Sequence, residues 1–334
     1  MPQVFLSGAN GFIAAQIAKH LIEKGYEVIG SVRTAEKGEK LKRQFGVNFS
    51  YEVVPSFVVD GAFDEALKKH PGVIAFFHAA SPVVQASKDP ENDVLLPAIQ
   101  GTQNALKAAK KYGPNIRKFI YTSSVASMYF LKEKTYVTEK SWNHITYEAA
   151  KTEPGCLYQG SKTFAERGAW KFMETEKPSF TFTTVNPVYV FGPLAFDEDA
   201  AGDTFTSTSA FIPDVLKTRK GEKLFDAKGA AVDVRDVAKL HIAALENDNL
   251  AGKRLLAYAG YWDTQIILEF IQKNYPELAK DLPEGTPGSS EEAKKTASTI
   301  DNSETTRLTG IEWIPVEKSF KDTIDQILRA RARK

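Results

Sequence analysis

The sequence predicts an α/β protein in which helices cover both faces of a parallel sheet. From the N-terminus to Pro193, short and continuously apolar segments such as Val73–His78 alternate with longer amphipathic segments. Continuous apolar runs are typical of parallel strands buried on both faces, and their alternation with helices is typical of successive βαβ units. A glycine-rich loop follows the first apolar run, where such folds bind a dinucleotide. Together these observations indicate a Rossmann-type doubly wound sheet.

Composition narrows the class of protein. Hydrophobic residues make up 43% and charged residues 25% of the 334 residues, an ordinary globular composition. The 43 basic and 42 acidic residues leave a net charge of +1 without a basic block, so we expect no nucleic-acid partner. We also expect no metal, no signal peptide and no membrane span, which needs ~20 apolar residues. A single cysteine, Cys156, fits a reducing compartment. The expectation is a cytoplasmic monomer or homodimer.

The first βαβ unit carries the candidate dinucleotide loop, with the spacing G-x-x-G-x-x-A. Gly8 permits a tight turn, Gly11 lets a pyrophosphate approach the backbone, and Ala14 allows the helix to pack closely on the sheet. The N-terminus of the following helix supplies amide groups and a positive dipole. The loop therefore predicts cofactor contacts at Gly8, Asn10, Gly11, Phe12 and Ile13.

The end of the second predicted strand, residues 27–32, determines the expected cofactor. An acidic residue there accepts a hydrogen bond from the ribose of NAD, whereas cations bind the 2′-phosphate of NADP. The chain continues with Arg33 and Lys37, without a carboxylate at the strand end. A guanidinium can bind a phosphate through two hydrogen bonds. We therefore predict NADP(H), the alternative being that both cations only begin a solvated helix.

Further segments continue the alternation. We predict strands at residues 49–54, 73–78, 118–122 and 182–185, and helices at residues 63–70 and 95–112. In open parallel sheets, ligands bind beyond the carboxyl ends of the strands. That edge would bring the glycine loop close to Arg33, Ala79–Ala80–Ser81 and Ser123–Ser124.

After Pro193 the alternation becomes irregular, which predicts a smaller C-terminal lobe. We expect a mobile loop at residues 195–208, a helix whose first residues are 232–238, a surface loop at 282–298 and a final helix at 316–330. The predicted dinucleotide-binding domain spans residues 1–192, with part of the C-terminal half returning to its sheet. The predicted substrate-binding lobe spans residues 193–334.

The string Y-x-x-x-K places a phenol and an ammonium on one face of a helix. About one such string is expected by chance in a chain with this many tyrosines. The sequence holds three, which begin at Tyr136, Tyr147 and Tyr158. The first lies in a polar run, and Pro154–Gly155 soon follows the second. Tyr158 alone begins a sustained amphipathic helix, so we select Tyr158 with Lys162.

With these motifs in place, nearly the whole chain resembles the extended short-chain dehydrogenase/reductases. Within them it looks most like the fungal NADPH-dependent aldehyde and ketone reductases of the methylglyoxal/3-methylbutanal type, relatives of plant dihydroflavonol reductases. That resemblance implies reduction of small to medium aldehydes, ketones, 2-oxo compounds and diketones. It is carried by residues 8–14, Arg33 with Lys37, residues 78–82 and 122–124, Tyr158 with Lys162, and residues 186–193 and 233–238.

The same resemblance assigns roles. Tyr158 would protonate the substrate oxygen, and Ser124 would hold the carbonyl by a hydrogen bond. Lys162 would bind the nicotinamide ribose and lower the pKa of Tyr158, as a nearby positive charge favours a phenolate. We further expect cofactor contacts at Ala79, Ser81, Pro187 and Val190, and a substrate pocket shaped by Val83, Val84, Tyr129 and Tyr189.

Three positions depart from the wider family. Ser56 stands where the family usually has an aspartate that contacts adenine, so that contact is weakened or moved. Tyr129 replaces the asparagine that dihydroflavonol reductases use to grip a flavonoid. Tyr158 is preceded by Gly155–Cys156–Leu157 rather than by the signature of cinnamoyl-CoA reductases. The last two departures favour the fungal carbonyl reductases.

Two alternative functions use the same fold. Nucleotide-sugar epimerases and dehydratases usually hold NAD through an acidic residue after the second strand, which this sequence lacks. An NADP-sensing regulator without catalysis commonly lacks the tyrosine or the lysine, and both are present here.

Overall fold

The computed structural model describes residues 1–82, 86–130, 133–202 and 205–333, and this part of the chain folds around a seven-stranded parallel sheet. The sheet is extended on its C-terminal side by smaller sheets. The strands are β1 (Gln3–Ser7), β2 (Glu27–Val32), β3 (Phe49–Val53), β4 (Val73–His78), β5 (Lys118–Thr122), β6 (Tyr136–Val137), β7 (Thr181–Pro187), β8 (Tyr189–Phe191), β9 (Lys228–Asp233), β10 (Arg254–Ala257), β11 (Gly260–Asp263) and β12 (Thr299–Ile300).

Helices cover both faces of the main sheet and build the C-terminal lobe. Among the described helices, none is both long enough and apolar enough to cross a membrane. The helices are α1 (Phe12–Glu23), α2 (Ala35–Phe45), α3 (Asp64–Lys69), α4 (Leu96–Tyr112), α5 (Tyr147–Thr152), α6 (Leu157–Glu176), α7 (Phe211–Lys217), α8 (Val234–Glu246), α9 (Thr264–Asn274), α10 (Pro276–Ala279), α11 (Ser289–Lys295), α12 (Ser303–Thr309) and α13 (Val316–Ala332).

The strand order of the main sheet is β10-β7-β5-β4-β1-β2-β3, and each pair of neighbours is parallel. The order reverses direction at β1, which lies between β2 and β4. Ligands bind in doubly wound sheets at the crevice beyond such a reversal. The predicted Rossmann-type sheet is therefore confirmed, and its crevice opens beside the glycine loop.

The C-terminal half contributes to the main sheet through β10, which pairs with β7. A second sheet has the order β11-β9-β8, and the short strands β6 and β12 pair with each other. The helix expected within residues 232–238 begins at Val234, because Val232 and Asp233 end strand β9 and the Asp233 carboxylate accepts from the Arg235 amide at 2.8 Å. Asp233 thus serves as the helix N-cap.

Two segments expected to be loops contain local helical structure. The segment expected to be a surface loop at 282–298 contains helix α11, whose residue Ser290 donates to Asp263 at 2.8 Å. In the segment 195–208, a 3₁₀ turn covers Asp197–Ala201, and a second turn, Ser207–Ala210, begins at its end. Residues 203 and 204 of this segment lie outside the described residues.

The core lies on both faces of the main sheet. Along β1, Val4 and Leu6 point to the face covered by α1 and α8, whereas Phe5 points to the face covered by α4 and α6. On the second face Phe76 is fully buried between aromatic rings, stacked on Phe119 at 5.0 Å between centroids and 4.9 Å from Phe5. Because strands buried on both faces must be apolar on both, this packing explains the continuous runs in the sequence.

We expect Phe76→Ala to lower the free energy of unfolding by about 3–5 kcal/mol, since it leaves a cavity among aromatic rings. Chemical denaturation followed by far-UV circular dichroism measures the loss. The control Val47→Ala truncates a side chain that is 99% exposed and should change stability by less than about 0.5 kcal/mol. Equal effects of the two variants would contradict the assignment of Phe76 to the core.

Candidate active site

The glycine loop lies at the reversal point of the sheet and is pressed against the end of β4. Gly8 has φ +68°, and a Cβ at that position would come within 3.1 Å of the Ala80 Cα. The Gly11 amide donates to the Gly8 carbonyl at 2.9 Å, which closes the turn just before α1 begins. The loop therefore needs glycine for its conformation as well as its space. Such a cradle at a helix N-terminus fits the pyrophosphate of a dinucleotide.

The Ser7 hydroxyl ties the glycine loop to the loop after β4. It accepts from the amides of Ala79 at 3.0 Å and Ala80 at 3.1 Å, and lies 2.9 Å from Nδ1 of His78. Since the oxygen accepts both amides, its own proton is available for Nδ1. His78 is fully buried, and burial together with the charge of Lys162 lowers its pKa to about 3. A neutral His78 therefore acts as an acceptor that fixes Ser7.

The end of β2 presents the two cations predicted from sequence. The Gly8 amide donates to the Ser31 hydroxyl at 3.1 Å, which connects the glycine loop to this strand. Arg33 and Lys37 follow at the start of α2 and are both exposed. Within the described ranges neither side chain forms an ion pair, so both are available to an anionic ligand such as a phosphate.

Ser124, Tyr158 and Lys162 come from neighbouring parts of the same sheet edge. Ser124 follows β5 and caps a single 3₁₀ turn, accepting from the Ala126 amide at 3.2 Å. Tyr158 and Lys162 lie on the first two turns of α6, where the Lys162 Nζ is 6.0 Å from the centroid of the Tyr158 ring. Lys162 is 4% exposed. The grouping expected from sequence is therefore present in the fold.

The pKa of Tyr158 shifts in the direction opposite to the one predicted from the sequence. We expected Lys162 to lower the pKa of Tyr158, but burial raises it, and a hydrogen bond with Ser124 opposes that rise only in part. Burial also lowers the pKa of Lys162 to about 8. Both groups are thus held closer to their neutral forms than in water, because desolvation disfavours charge. A phenol that keeps its proton suits the role of a proton donor.

The two rival tyrosines are engaged elsewhere. Tyr136 donates to Asp301 at 2.5 Å on the surface. Tyr147 hydrogen-bonds to Glu91, which also pairs with Lys151 at 2.8 Å. Of the three tyrosines, Tyr158 is the one hydrogen-bonded to Ser124, so the fold selects Tyr158 among the three strings.

A cavity of about 630 Å³ is lined mainly by residues of the C-terminal half, and Tyr189 in its wall acts electrostatically on Tyr158. Tyr129 and Tyr189, two of the four residues predicted to shape a substrate pocket, are part of its wall. The other two, Val83 and Val84, lie outside the described residues. Burial raises the pKa of Tyr129 to about 12, so it presents a neutral phenol. Wall residues that the sequence did not indicate are Glu133, Lys134, Lys228, Gly229, Ala230, Tyr258, Tyr261 and residues 293–300.

Those additional wall residues carried no sequence signal, because they come together only through pairing of β9 with β11 and of β6 with β12.

The remaining predicted cofactor residues occupy varied positions. Pro187 ends β7 and is buried, and Ser81 donates to the Pro82 carbonyl at 3.3 Å. Val190 packs its side chain in the main hydrophobic core, leaving its backbone to accept from Thr208 at 2.6 Å.

We expect Ser7→Ala to weaken NADPH binding and to lower the free energy of unfolding by about 1–3 kcal/mol, since it leaves polar groups of His78, Ala79 and Ala80 without their partner. Fluorescence titration with NADPH and chemical denaturation measure the two effects. Ser50→Ala, which alters an exposed residue of β3, is the control. If Ser7→Ala bound NADPH as tightly as the control, Ser7 would have no role in shaping the loop.

Comparison with known proteins places this geometry in a family. The GRP2 protein of Candida albicans is 44% identical over 97% of this chain and 98% of its own length. The NADPH-dependent methylglyoxal reductase GRE2 of Saccharomyces cerevisiae is 37% identical over 99% of both chains. The crystal structure of Candida albicans Gre2 in complex with NADPH superposes with a TM-score of 0.94 at 38% identity, covering 99% of both chains.

Residues 4–256 also match the sequence pattern of the NAD dependent epimerase/dehydratase family. That span runs from β1 to β10 and so contains the whole main sheet with the group of Ser124, Tyr158 and Lys162. The resemblance drawn from the motifs is thereby confirmed, and the chain belongs to the NAD dependent epimerase/dehydratase family of short-chain dehydrogenase/reductases.

Proposed function

We propose that the protein is an NADPH-dependent reductase that converts aldehydes and ketones to alcohols. Its main support is the group of buried Ser124, half-buried Tyr158 and buried Lys162. This group lies beside a dinucleotide crevice in which exposed cations follow strand β2. The names of the relatives agree in type, since GRE2 is an NADPH-dependent methylglyoxal reductase and a protein of Sporidiobolus salmonicolor, 33% identical over 96% of this chain, is an aldehyde reductase.

The residues present fit NADPH. Gly8 and Gly11 would hold the pyrophosphate against the start of α1, and Arg33 with Lys37 would bind the 2′-phosphate. When bound, NADPH supplies the hydride that reduces the carbonyl carbon. Lys162 would hold the nicotinamide ribose, while Pro187 and Ala79 lie at the strand ends that border the crevice.

The proton comes from the chain itself. Ser124 would hold the carbonyl oxygen by a hydrogen bond, and the Tyr158 hydroxyl would donate its proton as negative charge develops on that oxygen. The raised pKa of Tyr158 keeps that proton in place before reaction. The charge on Lys162 then favours the phenolate that remains after the transfer.

The wall of the cavity suggests the substrate class. Tyr129, Tyr189 and Tyr258 present aromatic faces with neutral hydroxyls, and burial raises the pKa of each. Charged side chains such as Lys134 and Lys228 share the same wall, so the tyrosines form its apolar part. That part would accept the apolar group of a small or medium carbonyl compound, such as an aldehyde, a ketone, a diketone or a 2-oxo ester. A monomer or a homodimer would carry the complete site, because all the residues named come from one chain.

Tyr158→Phe is expected to keep NADPH binding and to lower kcat by about a hundredfold or more, since the proton donor is lost while the ring remains. NADPH oxidation with a panel of aldehydes and diketones measures kcat, and fluorescence titration measures cofactor binding. Tyr147→Phe is the matched control, as Tyr147 begins another Y-x-x-x-K string away from the site. Unchanged turnover of Tyr158→Phe would refute the proposed mechanism.

Arg33→Asp is expected to shift the ratio of kcat/KM for NADPH over NADH by about tenfold or more toward NADH, because a charged hydrogen bond to the 2′-phosphate is lost. Steady-state kinetics with both cofactors measures the ratio. Lys42→Asp makes the same change of charge at an exposed site on α2 and should leave the ratio near that of the parent protein. Similar ratios for both variants would exclude a specific role of Arg33.

A further inference from the structure

Glu166 is a fully buried carboxylate one helical turn after Lys162 on α6, and the mechanism described so far does not use it. Its burial is offset by donors on both oxygens. Oε2 accepts from Ser123 Oγ at 2.5 Å, Ser127 Oγ at 2.5 Å and Asn186 Nδ2 at 2.8 Å, and Oε1 accepts from Arg254 Nε at 2.6 Å and Trp170 Nε1 at 3.2 Å.

These donors fix the backbone on both sides of Ser124. Ser123 precedes it, and Ser127 closes the turn that follows it. The single hydroxyl proton of Ser127 is shared between Glu166 Oε2 and the Ser124 carbonyl, which lies 2.7 Å from Ser127 Oγ. Asn186, at the end of β7, donates to that same carbonyl at 3.2 Å. Hydrogen bonds to a carboxylate are stronger than those between neutral groups. Glu166 therefore holds the loop that presents the Ser124 hydroxyl.

Arg254 on β10 neutralises Glu166 from the far side. Its Nη1 donates to the backbone carbonyls of Glu139, at 3.2 Å, and Ser141, and its guanidinium lies 3.9 Å from the centroid of the Trp142 ring. The pairing with Arg254 and the hydroxyl donors outweigh burial, so the pKa of Glu166 lies below its usual value. The carboxylate is therefore ionised across the working pH range.

Glu166 supplies negative charge to the surroundings of Lys162. The titratable groups beside this ammonium are Tyr158 and Glu166 on α6 and His78 on β4. Farther out, Tyr121 on β5 and Tyr189 on β8 act on Tyr158, and Arg254 on β10 acts on Glu166. His78 is neutral because burial keeps its pKa at about 3, and burial raises the pKa values of the tyrosines. Among these groups Glu166 is the ionised acid, and it opposes the effect of burial on Lys162.

We propose that Glu166 is a positioning residue for the reduction, which holds the Ser124 loop in place and keeps Lys162 protonated. This inference depends on the proposed function, since it assumes that Ser124, Tyr158 and Lys162 carry out the chemistry. Glu166 itself does not reach the substrate, because it is buried behind the serines and acts through them.

The test is the variant Glu166→Gln, which keeps the shape of the side chain and removes its charge. We expect kcat to fall by about tenfold or more, with the alkaline limb of the kcat/KM profile displaced by about half a pH unit or more to lower pH. The displacement follows because Lys162 loses its negative neighbour and releases its proton more readily. Rates of NADPH oxidation between pH 6 and about 10 give both quantities.

Arg254→Met provides the decisive comparison. It disrupts the same buried pair but removes the positive charge. Ser123, Ser127 and Asn186 still donate to Glu166, so the carboxylate stays ionised at alkaline pH and the alkaline limb should move to higher pH. A purely structural role would make both variants lose activity without displacements of opposite sign. If the alkaline limb moves in the same direction in both variants, or moves in neither, the proposal is overturned. If Glu166→Gln fails to fold, Arg254→Met alone decides. An alkaline limb that stays in place or moves to lower pH in Arg254→Met would overturn the proposal as well.

The control is Glu176→Gln on the same helix, where Glu176 pairs with Lys110 at the surface at 2.7 Å. It should leave both the turnover and the pH profile unchanged. Tyr158→Phe, assayed in parallel, separates the two levels of the proposal. If Tyr158→Phe retains turnover, the proposed function fails. If Tyr158→Phe loses turnover and Glu166→Gln behaves like Glu176→Gln, the role of Glu166 alone is wrong.

Discussion

Lys162 carries an ammonium group into a region of the sheet edge that water barely reaches, and burial there favours its neutral form. A charge in that position needs compensation from the surrounding protein, because desolvation of an unpaired ion is costly. The fold provides it through Glu166, one turn along the helix, whose own charge is balanced by Arg254. The arrangement couples three parts of the chain, namely the middle of α6, the serine loop after β5 and the strand β10.

The cofactor side of the site depends on a different constraint, which is the close approach of the loops after β1 and β4. Gly8 leaves no space for a side chain against Ala80, and the Ser7 hydroxyl binds the amides on the opposite loop. Both contacts arise because β1 and β4 are neighbours at the reversal point of a parallel sheet. The crevice is thus shaped by the strand order, and α2 then presents the cations at its open end.

Much of the fold could be predicted because its signals are local. Continuous apolar runs located β2, β4 and β5 with their observed ends, and the sustained helix behind Tyr158 selected it over Tyr136 and Tyr147. Strand β9 was missed because its end, Val232–Asp233, was assigned to the following helix. The small helix α11 was missed because it lies in a segment rich in proline, glycine and serine.

The parts of the site that escaped prediction depend on contacts distant in sequence. Arg254 lies 88 positions from Glu166, and no spacing rule connects an arginine on β10 with a glutamate on α6. The direction of the Tyr158 pKa was mispredicted for a related reason. A nearby lysine is visible in the sequence, but the burial that raises the pKa of the phenol is a property of the assembled fold.

The elements that hold Ser124, Tyr158 and Lys162 differ from most of those that line the proposed substrate cavity. Ser124, Tyr158 and Lys162 are held by β5, α6, β7 and β10, which belong to the main sheet or pack on it. The cavity wall comes mainly from β9, β11 and residues 293–300. Substitutions in the wall can therefore change which carbonyl compounds fit without disturbing the donors around Glu166. Arg254 also comes from the C-terminal half, as most of the cavity wall does, but it pairs with Glu166 directly behind the Ser124 loop.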